Sequence, residues 1–137
     1  MDEKNGKKLI YGLVKSRGKI LFVEDKKGIW SLPEGRLTHG ESEIECLTRT
    51  ISEQFPEVTV AEVEFYREFR KRNPDGKTPS HAIVYNVELE RGVEIIQERE
   101  RGILLTRRKA LRYYEMSPIT KKIIETTIPD ILRNQNY

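Results

Sequence analysis

The chain has 137 residues, of which 36% are hydrophobic and 34% are charged, and its formal net charge at pH 7 is +3. This length and balance predict one globular domain over residues 1–137 and exclude a disordered chain. The positive excess favours anionic ligands in general but is too small to predict nucleic acid as a partner. The single cysteine, Cys46, excludes an internal disulfide, and no apolar run approaches the roughly 20 residues of a membrane span. We therefore expect a cytoplasmic protein without a membrane partner.

The first third of the chain predicts short strands joined by turns. Two apolar runs, Leu9–Val14 and Ile20–Val23, flank a polar segment that contains a glycine, which is typical of a hairpin. A third short strand is expected over Ile29–Leu32, where a proline follows. A glycine-containing loop then begins at Glu34 and leads into the next element.

An amphipathic helix is predicted after this loop. Ser42 and Glu45 have the spacing of a capping box, so the helix should begin at Glu41 or Ser42. It should end near Pro56, because proline cannot continue a helix interior. Apolar and small residues at intervals of three and four predict one buried face that contains Ile44, Leu47, Thr48, Ile51 and Phe55.

A long hairpin is predicted in the middle of the chain. Val58–Phe69 and His81–Leu89 read as two strands, and the turn signal Asn73–Gly76 lies between them. The residues of the first strand that we expect to be buried are Val60, Val63, Phe65 and Phe69.

The last part of the chain predicts one strand and two helices. The strand is expected at Ile103–Leu105, a short helix at Arg107–Tyr114, and a second helix from Ser117, which precedes a proline at the first helical position. The order of elements predicts an α/β (α+β) sandwich, with a mixed β-sheet between helices, rather than a doubly wound parallel fold.

The loop and the helix carry a spaced motif. It consists of Gly35, Glu41, Arg49 and Glu53, separated by five, seven and three residues. This pattern resembles the box of the Nudix (MutT-like) hydrolase family, written G-x5-E-x7-R-E-U-x-E-E-x-G-U with U aliphatic. The segment Trp30–Pro33 also resembles the strand and Leu-Pro turn that precede the box in that family. The resemblance implies a Nudix-type α-β-α sandwich.

The resemblance also implies an activity and its site. Nudix hydrolases cleave the pyrophosphate bond of a nucleoside diphosphate linked to another moiety and use Mg²⁺ or Mn²⁺. By this resemblance, Glu53 is a metal ligand and a catalytic residue, and the Gly35 backbone and the Gln54 oxygen are further metal ligands. It gives Arg49 the role of orienting the box carboxylates, and it includes Glu41 in the motif. The implied partner is a nucleotide-type small molecule.

The box departs from the family pattern on the polar side of the helix. Thr50 and Gln54 stand where the family has acids, so three helix carboxylates are reduced to one. A hard cation prefers charged oxygen ligands, so the affinity for Mg²⁺ should be weaker. The alternative function is therefore a catalytically impaired Nudix fold that binds a nucleotide or a regulatory ligand. A third reading is an RNA-binding module that uses the basic segment Arg67–Arg72.

Residues outside the box could complete the site. The acids near the box or in the later loop are Glu34, Glu43, Glu57, Glu94, Glu98 and Glu100. Glu98 is the predicted catalytic acid, because some Nudix enzymes place one in that loop. Arg67 and Arg99 are predicted to contact substrate phosphates. The sequence leaves the substrate and the oligomeric state open, with a homodimer as one alternative.

Overall fold

A computed structural model describes residues 8–16, 18–72, 79–91 and 102–127. The elements in chain order are β1 (Lys8–Ser16), β2 (Lys19–Glu24), β3 (Trp30–Ser31), β4 (Glu34–Arg36), α1 (Glu43–Gln54), β5 (Thr59–Arg72), β6 (Pro79–Arg91), β7 (Gly102–Leu105), α2 (Arg107–Tyr113) and α3 (Pro118–Glu125). The predicted helices and the predicted strands within the described ranges are confirmed. The expectation of a loop at Glu34 is wrong, because β4 pairs with β1 in the sheet.

The strands described here form one mixed sheet. Its strand order is β3-β2-β1-β6-β5, with β4 also paired to β1 and β7 to β2. β1 and β6 run parallel, from the pair Lys8↔His81 to the pair Lys15↔Glu88, and the other pairs are antiparallel. This arrangement confirms the predicted mixed sheet.

The sheet separates two hydrophobic cores, because successive side chains of a strand point to opposite faces. Ile10 and Val14 of β1 pack in the core that contains the buried side of α1, which defines the α1 face of the sheet. Tyr11 and Leu13 pack in the core that contains Ile123 of α3, which defines the α3 face. The result is three layers with helices on both faces of the sheet.

The start of α1 follows the prediction, but its buried side is different. Ser42 is the N-cap and forms a capping box with Glu45. The buried residues of the helix are Cys46, Leu47, Thr50 and Ile51. Ile44 is 45% exposed, so its expected burial is wrong. It lies about 90° around the helix axis from the middle of the buried stripe, at roughly 100° per residue.

A bulge in β5 changes the face of the sheet on which its later residues lie. Phe65 pairs with Tyr85, and the register shifts before Arg67 pairs with Val84. The extra residue places Phe65 and Phe69 on opposite faces of the sheet. Phe69 is buried as expected, whereas Phe65 is 56% exposed and the expectation for it is wrong. The two expected valines, at positions 60 and 63, are partly buried against the core on the α1 face.

Hydrogen bonds fix the two C-terminal helices to the sheet and to each other. Trp30 in β3 donates its N–H to the carbonyl of Glu115 at 2.8 Å and accepts from the N–H of Ser117 at 3.0 Å. Arg107 donates from Nε to the Ile124 carbonyl at 2.9 Å, so the start of α2 lies beside the end of α3. Within the described ranges, no helix is both long enough and apolar enough to cross a bilayer.

Candidate functional site

The candidate site begins where β4 packs against α1. Gly35 pairs with Ile10 in the sheet and faces the helix. A Cβ atom at Gly35 would overlap the Thr50 hydroxyl and would lie 2.9 Å from Cys46 Sγ. Both of these side chains are short and buried, so they cannot easily move aside. Only glycine at this position allows the backbone of β4 to lie this close to α1.

Arg49 connects the other residues of the motif. Its guanidinium makes a bidentate contact with Glu41, with Nε 2.7 Å from Oε2 and Nη2 3.1 Å from Oε1. Nη1 lies 3.2 Å from Glu53 Oε1, and Nη2 also donates to the Arg36 carbonyl at 3.2 Å. The structure therefore brings Gly35 and these motif side chains together at the junction of β4 and α1.

Glu41 is held more firmly than its position at a loop end suggests. Besides the contact with Arg49, its carboxylate accepts from the Thr38 N–H at 3.1 Å and from the Thr38 hydroxyl at 2.9 Å. The hydrogen bonds from Arg49 and then from Thr38 lower the pKa of Glu41 from 4.5 to about 2, against the opposing effect of burial. The same ion pair raises the pKa of Arg49. Glu41 therefore fixes the loop and orients Arg49.

Glu53 has a different environment from Glu41. Its side chain is 65% exposed, and it contacts Arg49 through one oxygen. Two carboxylates share one guanidinium in this network, which therefore carries a net charge of about −1 at neutral pH. Gln54, the next residue, is also exposed at the end of α1. The surplus negative charge at an exposed oxygen favours a cation over a bare phosphate group.

Thr50 cannot provide an oxygen ligand to solvent in this arrangement. Its hydroxyl donates to the Cys46 carbonyl at 2.8 Å, and the side chain is buried beneath Gly35. The Cys46 thiol is buried as well, and burial followed by the charge of Glu41 raises its pKa. The side of α1 that faces β4 therefore has a packing role at these two positions.

The donor set fits a divalent cation that arrives with a substrate. Within the described ranges, no group of three or more His, Cys, Asp or Glu side chains is placed to hold a metal ion. Mg²⁺, however, is often bound by one or two carboxylates together with substrate phosphates and waters. The exposed Glu53 carboxylate and the neighbouring Gln54 amide oxygen fit that mode, and they do not form a preformed cage.

The other described acids from the sequence analysis have partners elsewhere. Glu43 accepts from the Tyr85 hydroxyl at 2.6 Å and contacts Lys8 Nζ at 2.9 Å. Burial opposes its ionisation, but these two contacts outweigh burial and lower its pKa. Glu34 lies opposite Tyr11 in the sheet, on the α3 face. Burial raises the pKa of Glu34, and the Arg36 charge opposes that shift.

Three of the predicted site residues, Glu98, Arg99 and Arg67, belong to segments outside the box. Glu98 and Arg99, like Glu94 and Glu100, lie outside the described residues. Arg67 lies on the α3 face, where its guanidinium carbon is 5.5 Å from the centre of the Tyr66 ring and 6.0 Å from that of Phe69. The structure therefore does not bring Arg67 together with Glu53.

Two contacts of the site were not predicted. The sequence gives no signal for the carbonyl of Arg36 as an acceptor for Arg49, because that contact depends on the path of β4. The hydrogen bonds between Thr38 and Glu41 have a signal, which is the three-residue spacing of a threonine and a glutamate before a helix.

Comparison with protein-family models and with curated proteins finds no match to this chain. Solved structures do match. The E. coli ORF135 protein is 18% identical with a TM-score of 0.69, over 99% of this chain and 96% of that chain. A mutator MutT protein from Bacillus halodurans is 18% identical with a TM-score of 0.66, over 87% of this chain and 80% of that chain. The chain has a Nudix-like fold.

Two further solved structures match the chain. A NUDIX hydrolase from Nitrosomonas europaea is 16% identical with a TM-score of 0.68, over 96% of this chain and 92% of that chain. Shewanella oneidensis NrtR, in complex with a 27mer DNA, is 17% identical with a TM-score of 0.69. The match covers 85% of this chain and 58% of NrtR. At these identities the likeness establishes the fold of this chain but not its activity.

Proposed function

We propose that this chain hydrolyses the pyrophosphate bond of a nucleoside diphosphate linked to another moiety, using Mg²⁺ or Mn²⁺ that binds together with the substrate. The observation that carries the proposal is the ion-pair network of Arg49, which holds Glu41 and leaves Glu53 as a surplus, exposed carboxylate. Similar solved structures include a MutT protein and a NUDIX hydrolase, which supports the same reaction class.

Each residue of the network has a role in this proposal. Glu53 would hold the cation, with Gln54 and the backbone at Gly35 as weaker oxygen donors. The cation, when bound, would neutralise phosphate charge and lower the pKa of a water molecule. Arg49 orients the Glu53 carboxylate, and Glu41 fixes Arg49 through the bidentate contact.

Residues beyond the network complete the proposal. Glu98 is proposed as the general base, whose carboxylate would accept a proton from the attacking water, and Arg99 is proposed to contact a substrate phosphate. We assign no such role to Arg67, because its guanidinium lies on the α3 face, whereas Glu53 belongs to α1 on the opposite face.

One consequence is that metal binding and substrate binding should depend on each other. A single exposed carboxylate replaces few of the waters that Mg²⁺ must lose, so the phosphates have to provide the remaining ligands. We expect Mn²⁺ alone to bind only at millimolar concentration. A methylene analogue of a nucleoside diphosphate sugar should increase the Mn²⁺ affinity by at least tenfold, as measured from the signal of free Mn²⁺ by electron paramagnetic resonance. Equal Mn²⁺ affinity with and without the analogue would contradict this coupling.

The activity itself is tested with a substrate panel. The panel contains nucleoside diphosphate sugars, dinucleoside polyphosphates and nucleoside triphosphates, with Mn²⁺ at millimolar concentration and release of nucleotide products measured by chromatography. Glu53→Gln should lower turnover by at least a hundredfold, whereas Glu62→Gln, an exposed carboxylate on β5, should leave turnover unchanged. Absence of turnover with every compound, or equal turnover in Glu53→Gln, would refute the hydrolase proposal.

Gln54→Glu offers a gain-of-function version of the same test. The side chain is exposed at the last residue of α1, so the fold should tolerate the substitution within about 0.5 kcal/mol. The added carboxylate should tighten Mn²⁺ binding and raise turnover at limiting Mn²⁺. The corresponding change at Thr50 is a poorer test, because that position is buried beneath Gly35 and a glutamate would overpack it.

A second candidate function is binding of a nucleotide without cleavage. The observation that favours it is the buried Thr50, whose hydroxyl is already bonded to the Cys46 carbonyl. This function predicts that nucleoside diphosphate compounds raise the melting temperature in the presence of a chelator as much as in the presence of Mn²⁺. A stabilisation that requires Mn²⁺ would favour the hydrolase instead.

A further inference from the structure

Positive charge is concentrated in the two C-terminal helices. Residues 107–125 contain six Lys or Arg and two Glu, which gives this segment a net charge of +4. The whole chain has a net charge of +3, so the rest of the chain is close to neutral. Charge of one sign gathered on one part of a surface is the electrostatic footprint of a binding site for a polyanion.

The exposed residues of α2 lie on one side of that helix. They are Arg108, Lys109, Arg112 and Tyr113, which we call the basic stripe. Positions 108 and 112 are four residues apart, as are positions 109 and 113, so the four side chains are neighbours on the helix surface. Ala110, on the other side, is fully buried in the core on the α3 face.

The cations of the basic stripe are exposed at the surface. Within the described residues, the ion pairs involve Lys8, Arg49, Arg70 and His81, and none involves a residue of the stripe. Arg107 differs from the stripe because it donates to carbonyls at the end of α3 and so holds the two helices together.

Tyr113 adds an aromatic surface to these charges. It is 69% exposed, although the next residue, Tyr114, packs edge-on against Trp30 with ring centres 5.7 Å apart. The Arg112 guanidinium carbon lies 5.5 Å from the centre of the Tyr113 ring. An exposed aromatic ring beside a planar guanidinium group provides two flat surfaces on which an unpaired base can stack.

We propose that the basic stripe binds a single-stranded nucleic acid, with phosphates at Arg108, Lys109 and Arg112 and a base stacked on Tyr113. The exposed ring favours a single strand over a duplex, because the bases of a duplex are already stacked on one another. It favours a nucleic acid over a generic acidic surface, because charge alone does not require an aromatic group. The stripe lies on a helix of the α3 face, and the proposed hydrolase site lies at α1 on the opposite face. The inference therefore does not depend on the proposed hydrolysis.

The test measures the binding of fluorescein-labelled (dT)12 and (rU)12 by fluorescence anisotropy between 20 and 200 mM salt. Three phosphate contacts predict a slope of log affinity against log salt of about −2, because each contact on a single strand contributes about 0.7. Arg108→Gln with Arg112→Gln should reduce the slope by about 1.4. The control, Lys8→Gln with Arg70→Gln, removes the same charge from the α1 face and should leave the slope unchanged.

Tyr113→Ala tests the stacking of a base independently of the charges. It should weaken binding of the single strands by about tenfold, with the salt slope unchanged, because stacking involves no counterion release. The exposed position keeps the fold intact, which circular dichroism verifies. An equal loss in the α1-face control, binding of duplex as tight as that of single strands, or preferential binding to anionic phospholipid vesicles would each overturn the proposal. No binding by the parent chain at 20 mM salt would also overturn it.

Discussion

Replacing Gly35 with alanine tests whether the close contact between β4 and α1 builds the site. The new Cβ would overlap the Thr50 hydroxyl and lie 2.9 Å from Cys46 Sγ, and neither group ends a flexible side chain. Overpacking of this kind costs about 1–3 kcal/mol. The alanine would regain about 0.5–1 kcal/mol by restricting the unfolded chain, because Gly35 is not among the glycines with positive φ. We therefore expect a net loss of about 1–2 kcal/mol in the free energy of unfolding.

The measurement is urea unfolding, monitored by far-UV circular dichroism and by the fluorescence of Trp30, the single tryptophan. Thr50→Ala in the Gly35→Ala background should recover part of the loss, with a coupling energy of about 1 kcal/mol. Gly40→Ala is the matched control. Its φ is +81° and no atom lies within 4 Å of the added Cβ, so its cost of about 1–2 kcal/mol is purely conformational. Thr50→Ala should therefore not recover any of that loss.

Two results would refute this reasoning. The first is a Gly35→Ala variant as stable as the parent, which would mean that β4 moves away from α1 without cost. The second is additivity of Gly35→Ala and Thr50→Ala, which would mean that the two side chains do not collide.

Three further predictions concern the start of α1. The Glu41 carboxylate has a pKa of about 2 instead of 4.5, so its stabilisation is complete above about pH 5 and is lost as pH falls towards 2. Glu41→Gln should therefore flatten the pH dependence of the urea midpoint in that window, and an unchanged profile would count against the ion pair. Ser42→Ala should cost about 1 kcal/mol through the lost cap, whereas Ser42→Asp should cost little. Tyr85→Phe should cost about 1–2 kcal/mol by removing the 2.6 Å hydrogen bond to Glu43, and it should raise the pKa of Glu43 in carboxyl NMR titrations.

The sequence predicts most of the elements because their signals are local. The capping box at Ser42 and the proline after Ser117 each identified a helix start that the structure confirms. The apolar runs of β1, β2 and β6 also lie where the pattern predicts them. These signals depend on neighbours in the chain, so a single sequence contains them.

The predictions that are wrong concern residues whose structure depends on tertiary contacts. β4 has only three residues, and it becomes a strand because it pairs with Leu9–Tyr11, the part of β1 that lies beyond its pairs with β2. Phe65 and Phe69 lie on opposite faces of the sheet because of a bulge, which the alternation of residues cannot reveal. In the site, the spacing predicts that Arg49 contacts Glu53, but only the path of β4 brings the Arg36 carbonyl to the same guanidinium. The box spacing alone could not show that Thr50 is buried.

The parallel pair of β1 and β6 has a consequence for how the chain reaches its folded state. Lys8 pairs with His81, 73 positions later in the chain, so the centre of the sheet closes a long loop. Closing such a loop costs entropy before the contacts compensate for it, and parallel pairing across such a distance is slow. During synthesis, β1 and the buried side of α1 must wait for β6 to leave the ribosome. Until then the apolar residues of α1 remain accessible to chaperones, and the proposed catalytic network lacks the central strand pair of the sheet that supports it.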